Sequence, residues 1–210
     1  MLARRASEGC PRRRRAIGFQ PVRSMQFTED SPFYRLLATR HDSGREQEAI
    51  DILEQAPQLA RLEWPGPDHK GQPFVQGSTG LHYAANDGKL ELVRKLIEYG
   101  ADVNASNARW FRSVLSWAAN NARIETIRLL IAHGARPDSL DAMHAAAWGG
   151  SYRGQGREGE YVDTLRLLVE AGADLNDRRH RQSLTPLAVA IESGNAGAIE
   201  LLKSLNASET

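Results

Sequence analysis

Few residues of this chain have the types and spacing that chemistry requires. Gly154, Gly156 and Gly159 spell GxGxxG, the arrangement that lets backbone N–H groups approach a pyrophosphate ahead of a helix. The motif follows a predicted helix, however, where the nucleotide fold has a strand, and Glu158 and Glu160 put negative charge where phosphates would lie. We therefore interpret these glycines as part of an insertion, and we predict no bound cofactor.

The other reactive side chains do not form a catalytic or metal-binding pattern. The histidines are scattered without the spacing of metal ligands: His41, His69, His82, His133, His144 and His180. Asp138, Asp141 and His144 could form an acid–base cluster, but Asp141 precedes a predicted helix and is better interpreted as its N-cap. Because no nucleophile elbow, P-loop or HExxH motif is present, we predict a non-enzymatic protein without a metal site.

A self-similar segment recurs at a fixed spacing and determines the predicted architecture. Residues 79–104, TGLHYAANDGKLELVRKLIEYGADVN, align without a gap with residues 113–138, SVLSWAANNARIETIRLLIAHGARPD, a step of 34 residues. Two more copies follow, one interrupted between DAMHAAAWG and YVDTLRLLVEAGADLN, and a last one, TPLAVAIESGNAGAIELLKSLN. Each copy predicts two short amphipathic helices that bury their apolar faces only when copies stack.

Single residues account for the two helices expected in each copy. In the first copy, Thr79 precedes the first helix as its N-cap, and Ala84 lets the neighbouring backbone approach closely. Gly88 permits the chain to reverse, and Gly100 supplies the left-handed residue that ends the second helix. The second copy departs from this pattern, because Ala122 stands where the glycine between the helices is expected.

These copies resemble ankyrin repeats over about residues 28–206. The resemblance implies an all-α ankyrin-repeat solenoid of stacked helix-turn-helix units, with four to five repeats including a divergent N-terminal cap. It also implies that His82 and His144 hydrogen-bond the neighbouring loop. The predicted organisation is a disordered Arg-rich arm at 1–26 and a repeat domain at 27–208, with a cap at 28–63, a loop at 64–77, and repeats at about 78–106, 112–138, 140–176 (insertion 149–160) and 184–206.

The N-terminal arm differs in charge from the rest of the chain. Its first 24 residues hold seven arginines and one glutamate, so the overall charge of +1 combines a basic arm with an acidic remainder. Three interpretations fit: an organellar transit peptide, a nuclear-import or nucleic-acid-contacting tail at PRRRR, or a disordered arm that is not translated if Met25 is the start. One cysteine and no long apolar run lead us to predict a cytoplasmic protein outside the membrane.

The resemblance also indicates where a partner would bind. In ankyrin proteins the partner usually lies against the loop tips and the inner face of the first helices. Trp110 stands between cations on a tip, and Trp148 occupies a usually polar position directly before the insertion. The predicted partner-binding residues are Trp110, Arg112, Asn86, Asp87, Asn120, Asn121, Trp148 and Tyr152.

Alternatives remain open for these positions. Trp110 could pack between adjacent loops, and Tyr152 or Tyr161 could fold back over Trp148, whereas Trp117 is ordinary for its position. We predict a monomeric, non-catalytic module that binds a protein partner through its concave face and loop tips. The alternative is binding of nucleic acid or an anionic surface through the arm and the basic tip at 178–181.

Overall fold

The computed structural model describes residues 32–38, 45–65, 75–107, 112–137, 141–149, 156–179 and 183–209. Within these ranges the chain forms ten α-helices, a short 3-10 helix at Pro57–Arg61, and two isolated bridges in place of any strand. The predicted all-α class is therefore confirmed. The helices are α1 (Pro32–Ala38), α2 (Glu46–Gln55), α3 (Gly80–Asp87), α4 (Leu90–Glu98), α5 (Val114–Asn120), α6 (Ile124–Ala132), α7 (Ala142–Trp148), α8 (Glu158–Glu170), α9 (Pro186–Ser193) and α10 (Ala196–Ser204).

The helices stack as four pairs, which we call copies one to four: α3 with α4, α5 with α6, α7 with α8, and α9 with α10. The first helices of successive copies pack most closely, in the order α3, α5, α7, α9, and the second helices pack outside them. Small side chains permit this approach, since the paired alanines between the first helices are fully or almost fully buried. One continuous apolar cluster runs from α1 to α10.

The N-terminal cap is fastened to copy one by both apolar and polar contacts. Phe33 and Leu36 of α1 and Leu53 of α2 are buried in the shared core. The carboxylate of Glu46 in α2 accepts a hydrogen bond from the backbone N–H of Leu92 at 3.2 Å, and so caps the first turn of α4, where no cap from its own N-cap residue is formed. The N-terminal cap thus covers and hydrogen-bonds copy one in the place where a preceding repeat would lie.

Left-handed residues reverse the chain between the two helices of a copy, as expected. Gly88 has φ of 73° and Gly194 has φ of 69°. Ala122 adopts the same region with φ of 50°, at a cost of about 1 kcal/mol relative to glycine. Copy two therefore keeps the turn of the repeat despite the missing glycine.

Copy three departs from its neighbours at both ends of α7. Asp141 occupies the predicted N-cap position of α7, but its φ is 67° and its side chain makes no capping hydrogen bond, so the capping role predicted for it is wrong. The loop before it is short, since Asp141 follows Ser113 by 28 residues, and the chain enters α7 through a left-handed residue. After α7, helix α8 begins at Glu158, so the end of the predicted insertion is the first turn of a 13-residue helix.

Candidate protein-binding face

Side chains at the turn between the two helices of one copy bind the preceding copy. In copy two, the guanidinium of Arg123 donates to the carbonyl oxygen of Asn86 at 3.0 Å, and its stem packs over Gly88, where a Cβ would lie 2.9 Å from Cδ. In copy four, the amide of Asn195 donates to the carbonyl oxygen of Ala147 at 3.0 Å. These bonds satisfy carbonyl groups that a helix C-terminus leaves unpaired. We call this side of the stack the turn edge.

Copy three makes the same connection with Arg157, directly before α8, and with Tyr161 in its first turn. Arg157 donates to the carbonyl oxygen of Asn121 at 3.0 Å, and the hydroxyl of Tyr161 donates to that of Asn120 at 3.2 Å. Glu160 holds the Arg157 guanidinium at 2.6 Å, and this hydrogen bond lowers the pKa of the Glu160 carboxyl group. Tyr161 is buried. Through these contacts the start of α8 extends the turn edge into copy three.

Histidines form the connections at the opposite side of the stack, which we call the loop-tip edge. His144 Nε2 lies 2.9 Å from the carbonyl oxygen of Leu184, and His82 Nε2 lies 3.4 Å from that of Arg112. This placement agrees with the role that the resemblance implied for both residues. In copy two, Ser116 stands at this position and its hydroxyl donates to Ser113 of its own copy.

The environment of His82 keeps its ring neutral. Its Nδ1 accepts from the backbone N–H of Thr79 at 3.1 Å, so Nε2 carries the proton that points to Arg112. Burial lowers the pKa of His82 to about 4, although the bond to the Arg112 carbonyl acts in the opposite direction. An imidazole that is neutral and hydrogen-bonded through both ring nitrogens is typical of a structural histidine.

The first helices present a polar and aromatic surface on the side turned away from the second helices. We call it the inner face and define it by three aligned positions of each copy, two within the first helix and one at its C-terminal end; some of these side chains are buried by their neighbours. Its members are Tyr83, Asn86, Asp87, Trp117, Asn120, Asn121, Ala145, Trp148, Gly149, Val189, Glu192 and Ser193.

An amide network orders the inner face of copies one and two. Asn121 donates to the side-chain oxygen of Asn86 at 2.7 Å, and Asn86 donates to Asp87 Oδ1 at 2.8 Å. Asn121 is 8% exposed, so it supports Asn86 more than it offers contact surface. The second carboxylate oxygen of Asp87 and Oδ1 of Asn120 are covered, and the described structure gives neither a hydrogen-bond partner.

Aromatic side chains lie beside this network. The ring of Trp117 meets that of Tyr83 edge-on, with centroids 5.2 Å apart, and that of His82 at 5.4 Å. Tyr83 is buried and its hydroxyl oxygen accepts from the backbone N–H of Val75 at 2.8 Å. Trp117 and Trp148 are both half-buried against the core. No sequence pattern marks Trp117 as unusual for its position, although it lies three residues before Asn120 and therefore on the same side of α5.

The remaining predicted contact residues lie away from this network or outside the described ranges. Arg112 is partly exposed at the loop-tip edge, with Nε 4.0 Å from a carboxylate oxygen of Asp141. Trp110 and Tyr152 lie outside the described residues. Their roles as contacts stay predictions.

Two arginines of the predicted basic tip, Arg178 and Arg179, already make hydrogen bonds within the chain. Burial acts to raise the pKa of Asp177, but hydrogen bonds from the side chain and backbone of Arg179 outweigh it and lower that pKa. Arg178 donates to the carbonyl oxygen of Ser183 at 3.3 Å. His180, Arg181 and the N-terminal arm lie outside the described residues, so the nucleic-acid alternative stays a prediction.

Neither a metal cluster nor a membrane span occurs in the part of the chain that the structure describes. Among the residues that the structure describes, no three His, Cys, Asp or Glu side chains are grouped as a metal site would require. Within the same ranges, every helix is too short or too polar to span a bilayer.

Comparison with known proteins identifies the family. The family described as "Ankyrin repeats (3 copies)" matches residues 54–141 and 81–178, which together exceed half of the chain. The chain belongs to the ankyrin-repeat family, and the predicted solenoid is confirmed. Members of this family are generally non-catalytic modules for protein–protein interaction. No curated protein matches the chain.

Proposed function

We propose that the inner face binds a partner protein, with Asn86, Asp87, Asn120 and Trp148 as the central contacts. The observation that carries this proposal is the presence of two half-buried tryptophans, Trp117 and Trp148, on adjacent first helices of the face that also carries Asp87 Oδ2 and Asn120 Oδ1, two oxygens without donors in the described structure. Tryptophan dominates binding hot spots because one side chain buries a large area at little cost in conformational entropy.

Among the described residues, the outer surface formed by the second helices lacks this combination. Charged side chains of the second helices pair locally, as Arg94 does with Glu91 and Lys95 does with Glu98, and such exposed pairs contribute little. The inner face instead combines aromatic area with a fixed amide network, which can hold a partner in one register. Trp110 and Arg112 would extend the contact to the loop tips, and Tyr152 would extend it from the insertion.

Affinity capture from a native lysate tests this proposal. We would compare the wild-type chain with Trp148→Ala and Asn120→Ala, and use Arg166→Ala on the outer side of α8 as the matched control. We expect a specific protein to be lost from both inner-face variants and retained by the control. Circular dichroism would show that each variant is folded.

Two outcomes would redirect the proposal. A captured set that is unchanged in both inner-face variants would show that the binding face lies elsewhere. Binding that weakens steeply with salt and disappears on deletion of residues 1–24 would favour the nucleic-acid or anionic-surface alternative, because release of counterions makes such binding strongly salt-dependent.

A further inference from the structure

We propose that the inner face recognises an arginine side chain of the partner, held by Asp87 and Asn120 and stacked on tryptophan. This inference rests on the proposed function and adds the chemistry of the contact. Three independent properties of the inner face support it: its charge, its unused acceptors, and the position of its aromatic rings.

The charge of the inner face is the first property. Of its twelve positions, two are carboxylates, Asp87 and Glu192, and none is lysine, arginine or histidine. The described structure shows no ion pair for Asp87. Arg123 and Arg157 lie beside the face at the turn edge, where each donates to a backbone carbonyl. A cation from a partner would therefore meet a carboxylate that has no ion pair within the described structure.

The unused acceptors are the second property. The donors of the network run in one direction, from Asn121 to Asn86 to Asp87, and end on a carboxylate that can accept but cannot donate. Asp87 Oδ2 and Asn120 Oδ1 are covered without a donor within the described structure, which costs about 1–3 kcal/mol for each such group. Both belong to terminal groups whose last torsion is broad, so a rotation can present them to an incoming donor.

The aromatic rings are the third property, and they favour arginine over lysine. Trp117 precedes Asn120 by one turn of α5, and Trp148 holds on α7 the position that Asn120 holds on α5. A planar guanidinium can stack on an indole and still direct several N–H groups in its plane toward oxygen acceptors. A lysine ammonium is a compact, strongly hydrated point charge that gains less from this arrangement.

Short peptides test the inference directly. We would titrate the full chain with acetyl-Gly-Arg-Gly-amide and with the versions that carry Gln, Lys or Glu in place of Arg, and follow the side-chain amide and indole signals by NMR. We expect the Arg peptide to shift the Asn120 amide and Trp148 indole signals in a saturable way. Its affinity should exceed that of the Gln peptide by about tenfold, as one charge-assisted contact implies.

A matched pair of variants locates the contact. Asp87→Asn should lower the affinity for the Arg peptide by about fivefold or more, and Asp163→Asn on the outer side of α8 should leave it unchanged. Equal binding of the Gln or Lys peptide by the wild type overturns the inference without needing any variant. An unchanged affinity in a folded Asp87→Asn protein overturns it as well. If a protein partner is lost from Trp148→Ala but the Arg peptide does not bind, the inference fails and the proposed function stands.

Discussion

Arg157, directly before α8, donates a hydrogen bond to the carbonyl oxygen of Asn121 at the end of α5, 36 residues earlier in the chain. Arg123 and Asn195 make the corresponding contacts in copies two and four, so copy three keeps this regular contact of the stack although its length differs from that of its neighbours. Arg157 thus fixes the start of α8 to the end of α5.

Arg157→Ala should destabilise the protein by about 1.5–3 kcal/mol, because it removes a charge-assisted bond and leaves a helix-terminal carbonyl without its donor. Urea unfolding followed by circular dichroism measures the change. Arg166→Ala, at an exposed position within α8, should alter the free energy of unfolding by less than about 0.5 kcal/mol. Equal effects of the two changes would show that the contact of Arg157 does not stabilise the stack.

The stability of the protein should fall as the pH decreases from about 6.5 to about 4, and His82 should account for part of the loss. The folded-state pKa of His82 is about 4, below its ordinary value of 6.5, so the unfolded chain binds the proton first and gains stability on acidification. This difference corresponds to about 3 kcal/mol over the full interval.

His82→Gln tests this dependence, since the amide retains an acceptor and a donor but does not titrate. The variant should be less stable than the wild type at pH 7, and its free energy of unfolding should depend less on pH between 6.5 and 4. A pH profile parallel to that of the wild type would assign the acid sensitivity to other groups.

Ala122→Gly should stabilise the protein by up to about 1 kcal/mol, because glycine adopts the left-handed region without the steric cost that alanine incurs at φ of 50°. Thermal unfolding measures the shift. Ala118→Gly, in the right-handed part of α5, is the control and should destabilise by about 1 kcal/mol or more. A loss of stability in Ala122→Gly comparable with that control would contradict the prediction.

Asn195→Asp should separate two roles of one side chain. The Asn195 oxygen caps α10 by accepting from the backbone N–H of Ala198, and its amide donates to the carbonyl oxygen of Ala147. Aspartate keeps the cap but lacks the donor, so we expect a loss of about 1–3 kcal/mol in chemical denaturation. A variant as stable as the wild type would show that the cap alone matters.

Periodicity predicted the elements of the stack correctly because it reflects burial. Ala84, Leu81 and their equivalents must face neighbouring helices wherever the repeat occurs, and His144 could be placed because its partner is a backbone carbonyl at a fixed step. Asp141 does lie at the predicted N-cap position, but its side chain does not cap α7, since its φ is 67° whereas a capping residue is typically extended.

The contacts within the inner face could not be predicted from the sequence to the same extent. Asn86 and Asn121 are equally polar, and only packing distinguishes the half-exposed residue from the buried one that supports it. Trp117 matches the repeat and therefore carried no signal, although its ring lies beside the network. Residue type locates this face, but the pairing of its amides depends on the distance between neighbouring helices.

The two edges of the stack are bonded differently at its centre. Within the described residues, Ser116 makes no bond across the loop-tip edge between copies two and three, where Arg112 and Asp141 approach each other at 4.0 Å, while Arg157 and Tyr161 make hydrogen bonds across the turn edge of the same interface. An interface bonded more firmly along one side resists sliding better than it resists rotation about that side. A small rotation there would change the angle between the half of the inner face that carries Asn86 and the half that carries Trp148, and so adjust the curvature of the inner face to the shape of its occupant.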